Sequence, residues 1–171
     1  PITRITDQPT TFFYDGKPYE PENFGDQYNG PVTVRQALAK SLNVPTVKLA
    51  ERVGYRRVAQ LARDAGMNME VRGTPAVALG AYVTTPLEVA GAYTVFSTYG
   101  TSLKPAHIAS IRDESGNIIY TNQPQKKRVL DPRVAYLVTN LMEEVMRSGT
   151  GAGARARGFW QPAAGKTGSS R

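Results

Sequence analysis

The sequence predicts an α+β fold, mostly helical with a little antiparallel sheet. Three observations carry that reading. Apolar residues recur at helical spacing in several stretches, some opened by clear capping residues. Two short segments flank the turn-forming run Asp113-Glu114-Ser115-Gly116, the pattern of a hairpin. The composition, 40% hydrophobic and 20% charged, is enough to bury a core and excludes disorder and fibrous repeats. No internal repeat or linker divides the 171 residues, so one domain is expected.

Taken in order, residues 1–31 read as an irregular segment rich in proline, glycine and aromatics, with a turn at Tyr14-Asp15-Gly16-Lys17. Thr33 and Gln36 form a capping box for a helix with Val34, Ala37 and Leu38 on its apolar side, ending near Ser41-Leu42-Asn43. A second helix starts at Val44-Pro45 and closes at Gly54; Val58, Leu61, Ala62 and Ala65 mark a third that ends at Gly66. Thr85-Pro86-Leu87-Glu88 opens a helix carrying Leu87, Val89, Ala90, Ala92, Val95 and Phe96, apolar nearly all round and so expected in the middle of the domain. Residues His107–Arg112 and Asn117–Thr121 form the hairpin. Asp131-Pro132 opens a helix with Val134, Leu137, Val138, Leu141 and Val145 on one face. A flexible glycine loop, Gly149-Thr150-Gly151-Ala152-Gly153-Ala154, follows, then Phe159-Trp160 and a short strand ending in Lys166-Thr167-Gly168.

The composition closes off several kinds of chemistry. Without cysteine there is no disulfide, no thiol nucleophile and no cysteine-rich zinc site. The single histidine, His107, excludes a two-histidine metal motif and reads as structural, so neither a metal nor a cofactor is expected. The net charge of +7 comes from short clusters such as Arg56-Arg57 and Lys126-Lys127-Arg128, without interleaved aromatics. That pattern is a solvated basic surface rather than a nucleic-acid site. No apolar run approaches the roughly 20 residues needed to cross a bilayer.

Two short motifs carry chemistry, Ser41-Leu42-Asn43 and Lys166-Thr167-Gly168. Each has an ordinary structural explanation. Ser41 could cap the following helix, Asn43 could be a turn residue, and Lys166 could be a surface lysine on an edge strand. Phe159 and Trp160 read as core or cleft lining, and Tyr136, Met142 and Met146 as helix packing. A second serine-x-asparagine triplet, Ser115-Gly116-Asn117, falls in the hairpin turn, where these residues are ordinary turn formers. Ser41-Leu42-Asn43 lies instead at a tight junction between two apolar helices, which can aim polar side chains into a cleft.

The flanking residues favour the chemical reading. The stretch from Asn23-Phe24-Gly25-Asp26 through Gly30-Pro31-Val32-Thr33-Val34-Arg35-Gln36-Ala37-Leu38 to Ser41-Leu42-Asn43-Val44-Pro45 resembles the S-x-N region of bifunctional, class A penicillin-binding proteins. Ala78-Leu79-Gly80, Thr84-Thr85-Pro86-Leu87-Glu88, Gly149-Thr150-Gly151 and Ala164-Gly165-Lys166-Thr167-Gly168 continue the resemblance in family order. The one departure within the motifs is Ser169-Ser170 after K-T-G, where threonines are usual.

The resemblance implies a partial penicillin-binding-protein/β-lactamase-like transpeptidase fold and an acyl-serine enzyme that cross-links peptidoglycan stem peptides and binds β-lactams. It assigns Ser41 to proton relay and Asn43 to the substrate's backbone amide. Lys166 would supply positive potential and orient Ser41, and Thr167 and Ser169 would bind the substrate carboxylate. The backbone N–H of Ser169, reached through Gly168, would form half of the oxyanion hole. No serine in the chain has a lysine three places on, so the S-x-x-K nucleophile is expected upstream of Pro1 in a longer protein, and further strands after K-T-G. Residues 1–171 are then an incomplete transpeptidase domain, inactive alone. The parent protein would carry an upstream glycosyltransferase domain and a membrane anchor, and work at the periplasmic face of the cytoplasmic membrane. A D,D-carboxypeptidase or β-lactamase of the same fold, or a non-catalytic peptidoglycan-binding module, remain alternatives.

Overall fold

The structure, a computed structural model, describes residues 2–168. Strands β1 (Arg4–Asp7), β2 (Phe12–Tyr14), β3 (Lys17–Tyr19) and β4 (Gly30–Thr33) precede helices α1 (Val34–Ala39), α2 (Asn43–Val53) and α3 (Tyr55–Asp64). Helix α4 (Pro86–Ser97), strands β5 (Thr101–Leu103), β6 (Ser110–Arg112), β7 (Ile118–Thr121) and β8 (Lys126–Arg128), and helices α5 (Pro132–Ser148) and α6 (Gly153–Ala156) complete the chain. The α+β expectation holds. Among the described residues the strands form antiparallel pairs: β1 with β4, β2 with β3, β5 with β8 and β6 with β7.

Where the sequence predicts an irregular segment over residues 1–31, the described residues 2–33 contain β1 to β4. In β1 the inward positions are Ile5 and Asp7, so a carboxylate stands where alternation calls for an apolar residue and hides the strand. Its partner β4 begins Gly30-Pro31 and joins it in the register Ile5 to Val32 and Asp7 to Gly30. The predicted turn is present: Asp15 and Gly16 both take positive φ, 50° and 70°, as a two-residue hairpin connection of this kind requires.

Both predicted capping boxes form. The Thr33 hydroxyl accepts from Gln36 N while the Gln36 side chain accepts from Thr33 N, and Thr85 and Glu88 repeat the arrangement at α4. Asp131 caps α5 by accepting from Arg133 N. The hairpin β6–β7 is in place, and Asn117 is tied to the Asp113 carboxylate within its turn. Among the described residues no helix is long and apolar enough to cross a membrane.

Two burial expectations are corrected. Helix α4 is not central: Gly91, Ala92 and Val95 are buried against β5 and α5, while Leu87, Ala90 and Tyr93 are exposed. Its contact side is built from small residues, so close approach rather than bulk fixes it; Gly91 lies against the Pro105 ring. On α5 the buried stripe is Ala135, Leu141, Met142 and Val145, whereas Val134 and Leu137 are 44% and 47% exposed. The stripe is rotated by about one residue from the expected face, and α1 packs on its C-terminal part, where Arg35 reaches Asn140 and Glu144. Met142 packs as expected, and Tyr136 does not. Trp160 is 75% exposed and lines no core; Phe159 is exposed beneath the Arg155 guanidinium.

The core is divided into small clusters: Phe12, Val44 and Val47; Val32, Ala37 and Leu42; and Ala59, Val71 and Val77. Tyr55 packs against both the first and the third. Among the described residues its hydroxyl is buried without a hydrogen-bond partner, and burial pushes the phenol pKa up to about 12, helped by Glu51 and Tyr19. A raised phenol pKa means the folded state holds its proton after the unfolded state has lost it. Stability from this group is therefore complete below about pH 10 and is lost as pH rises toward 12. We expect Tyr55→Phe to be neutral or stabilising at pH 7, since it removes an unsatisfied hydroxyl, and to gain on the wild type between pH 9 and 11. Denaturant titrations at pH 7 and about 10.5 test this. A constant difference between the two proteins across that range would mean that water reaches the hydroxyl.

Candidate active site

The first wall of the site is the turn between α1 and α2. Ser41 N donates to Leu38 O at 3.1 Å and Leu42 N to Ala37 O at 2.9 Å, the paired closure of a helix that ends in a left-handed residue. Ser41 is that residue, with φ 55°. Glycine is the usual choice there, and a side-chain-bearing residue costs about 1–2 kcal/mol. Leu42 completes the closure by packing on Ala37 and Val32. The turn thus fixes the backbone from below and leaves the Ser41 side chain free on the other side.

Helix α2 starts without a local cap. Leu42 occupies the N-cap position and has no side-chain acceptor. Asn23, from the loop after β3, supplies one: its Oδ1 accepts from Asn43 N at 2.9 Å and from Val44 N at 3.2 Å. Pro45 has no N–H, so the first turn is fully satisfied. Asn43 Nδ2 donates to Glu22 O at 2.6 Å; its Oδ1 makes no hydrogen bond among the described residues.

The second wall comes from the far end of the chain. Lys166 Nζ donates to Ser41 Oγ at 2.7 Å, across 125 positions of sequence, and to Thr167 O at 3.0 Å. Ser41 is therefore not a helix cap, and Lys166 is half-buried rather than a solvated surface lysine. Burial lowers the Lys166 pKa below the ordinary lysine value. Among the described residues no carboxylate forms an ion pair with it. A hydroxyl at hydrogen-bond distance from an amine of lowered basicity can pass a proton, and a cation without a paired anion attracts one.

Residues before Lys166 do not form the predicted strand; no described strand lies beside them, and the segment has no regular secondary structure. It is held through Gly165 N to Met142 O at 3.3 Å and through the Thr150 and Thr167 hydroxyls, 2.6 Å apart. Gly149-Thr150-Gly151, expected as a flexible loop, is instead the bracket of the site. Thr150 N donates to Ala39 O at 3.0 Å, so Thr150 touches both walls. Gly149 and Gly151 permit this contact, since added Cβ atoms would meet Ala39 O at 2.2 Å and Met146 Sδ at 2.7 Å. Sequence reasoning missed Thr150 as a site residue; the glycines on either side were the available signal. Thr167 and Gly168 are exposed beside the pair, and Ser169 lies outside the described residues.

The structure thus brings Ser41, Lys166 and Thr167 together, with Asn43 on the same turn and its amide directed to Glu22. An open cavity of about 720 Å³ lies elsewhere, between α3, α4, β5 and β8; His107 lines it and neither Ser41 nor Lys166 does.

Residues 3–171 match the family model described as the penicillin binding protein transpeptidase domain. The chain is 34% identical over 168 residues to penicillin-binding protein 1B of Vibrio cholerae serotype O1, covering 97% of this chain and 22% of that protein. It is 33% identical over 159 residues to penicillin-binding protein 1A of Aquifex aeolicus, covering 91% and 22%. It superimposes on the crystal structure of penicillin-binding protein 1A from Haemophilus influenzae with a TM-score of 0.87, covering 96% of this chain and 30% of that one. At 24% identity that likeness shows the fold. The chain spans about a fifth of the length of these curated relatives.

The bracket yields a prediction. Gly149→Ala should cost about 1–3 kcal/mol, because its methyl group meets backbone rather than a flexible side chain. Gly153→Ala, in α6 with nothing closer than Arg157 Nη1 at 3.8 Å, should be neutral or stabilising through helix propensity. Chemical denaturation of both variants checks this, and equal effects would mean that the loop does not bear on Ala39.

Proposed function

We propose that this chain, which belongs to the transpeptidase family of class A penicillin-binding proteins, forms the S-x-N and K-T-G walls of a peptidoglycan-cross-linking, acyl-serine active site. The observation that carries the proposal is the 2.7 Å contact of Lys166 Nζ with Ser41 Oγ, which brings the two motifs into the hydrogen-bond contact that a proton relay needs. The nucleophilic serine of an S-x-x-K segment would come from a longer polypeptide, since no serine here has a lysine three places on.

In this reading the nucleophile's oxygen bonds to the carbonyl carbon of a D-Ala-D-Ala linkage, the C–N bond breaks, and D-alanine leaves with a proton delivered through Ser41. An amine of a second stem peptide then attacks the ester, forms the new C–N bond and returns the proton to the serine. Asn43 would hydrogen-bond the substrate amide. Lys166 would draw in the substrate carboxylate, which the Thr167 and Ser169 hydroxyls would hold, and the Gly168–Ser169 backbone would contribute to an oxyanion hole. A β-lactam, presenting the same carboxylate and a strained amide, would stop at the ester. The parent protein would act outside the cytoplasmic membrane, held by an anchor elsewhere in its chain and paired with a glycosyltransferase domain. Residues 1–171 would form an incomplete transpeptidase domain, unable to acylate alone.

The test is acylation by a chromogenic β-lactam in the longer protein. Wild type should acylate, and Ser41→Ala should lower the acylation rate constant by about 10²–10⁴-fold while changing initial binding much less, since a proton relay acts mainly in the transition state. The isolated 171-residue chain should show no mass increase with excess penicillin. An unchanged rate constant in Ser41→Ala, or an adduct on the isolated chain, would overturn the assignment.

A further inference from the structure

We infer that Asp7 and Asn23 are positioning residues for the Ser41–Asn43 turn, acting as a lock on the N-terminus of α2; the inference rests on the function proposed above. Asp7 is 1% exposed and Asn23 4%, and both lie far from the two motifs in sequence. Asp7 is a buried carboxylate satisfied by amides alone: Asn23 Nδ2 at 2.7 Å, Asn29 N at 3.0 Å and Asn29 Nδ2 at 2.8 Å. The nearby Lys48 Nζ donates to Thr6 O instead. Lys48 lies close enough for the Asp7 charge to act on it but forms no ion pair with it among the described residues, and a buried carboxylate without one is an expensive way to fill a core.

What it achieves is orientation. A side-chain amide can turn over and exchange its oxygen for its nitrogen. With Asp7 accepting from Asn23 Nδ2, and Gln27 O accepting from the same nitrogen at 2.9 Å, the amide has one tolerable orientation. Its Oδ1 must then face Asn43 N and Val44 N, the two donors that α2 leaves open. The preceding residue holds the Asn43 side chain as well, through Glu22 O. Thus the start of α2, and with it the backbone that carries Ser41 and Asn43, is set by β1 through one locked amide. Geometry of this order matters to rate, since a misplacement of about 1 Å in a catalytic group can cost about 100-fold.

The test compares wild type, Asn23→Ala, Asn23→Asp and the exchange Asp7→Asn/Asn23→Asp in the full-length protein, below every variant's melting temperature. Asn23→Ala should lower the second-order acylation rate by about tenfold or more in correctly folded protein. Asn23→Asp, which sets two carboxylates face to face, should lose more. The exchange restores one carboxylate bonded to one amide and should recover part of that loss, with the Gln27 O contact still unmet, whereas a merely destabilising effect would add the two losses. Hydrogen exchange should quicken in peptides covering residues 42–46 of Asn23→Ala and stay unchanged in α5. Wild-type acylation by folded Asn23→Ala, or no recovery in the exchange variant, would overturn the inference. If the wild type itself fails to acylate, the proposed function falls, and hydrogen exchange decides the lock on its own: unchanged protection at 42–46 overturns it.

Discussion

The left-handed residue at Ser41 is the constraint on which the rest of the site depends. A helix that ends in this conformation turns sharply, and here it must turn so that α2 can start two residues later. Glycine would make the turn without strain and would leave nothing to donate or accept. Serine accepts the strain and presents a hydroxyl. Everything near it compensates: Leu42 buries its side chain beneath the turn, Asn23 replaces the missing cap, Thr150 fastens Ala39, and Lys166 occupies the hydroxyl. Strain of this kind, sustained by surrounding contacts, is a frequent mark of a functional position.

The supporting structure is economical in a particular way. Its buried clusters are made chiefly of valine and alanine, so elements approach closely and hydrogen bonds between them are short-range and direct. Arg35 fixes α1 to α5 through Asn140 at 2.8 Å and Glu144 at 3.6 Å, and Gly149 brings the following loop down onto Ala39. Three segments distant in sequence, 39–43, 149–151 and 165–167, therefore meet with almost no intervening side chain. The site is built from backbone proximity more than from bulk.

Most helices were legible in the sequence because their signals are local. Thr33 with Gln36, Thr85 with Glu88, and Asp131 before Pro132 each act within one turn, so spacing alone reveals them. Strand β1 was not legible, because Asp7 occupies an inward position for the sake of Asn23 and Asn29. The face of α5 was misread because burial there follows tertiary packing, and Ala135 carries too little hydrophobicity to announce its buried position. The terminal strand was inferred from sequence type, yet a strand exists only beside a partner. The candidate site was legible in its end points, Ser41, Asn43 and Lys166. Its supports, Thr150, Asn23 and Asp7, act through tertiary contacts that no local pattern encodes.

The span of the Ser41–Lys166 contact has a consequence for biosynthesis. The hydrogen bonds that cap α1 and α2 use only residues up to 53, so the groups that define the turn are all present while the chain is still being made. The lysine arrives 125 residues later. At elongation rates of about 5–20 residues per second, many seconds separate the two events. During that interval Ser41 has no Lys166 to pair with. A nascent chain therefore carries one half of the candidate site, and the Ser41–Lys166 contact closes only once the last motif has been made.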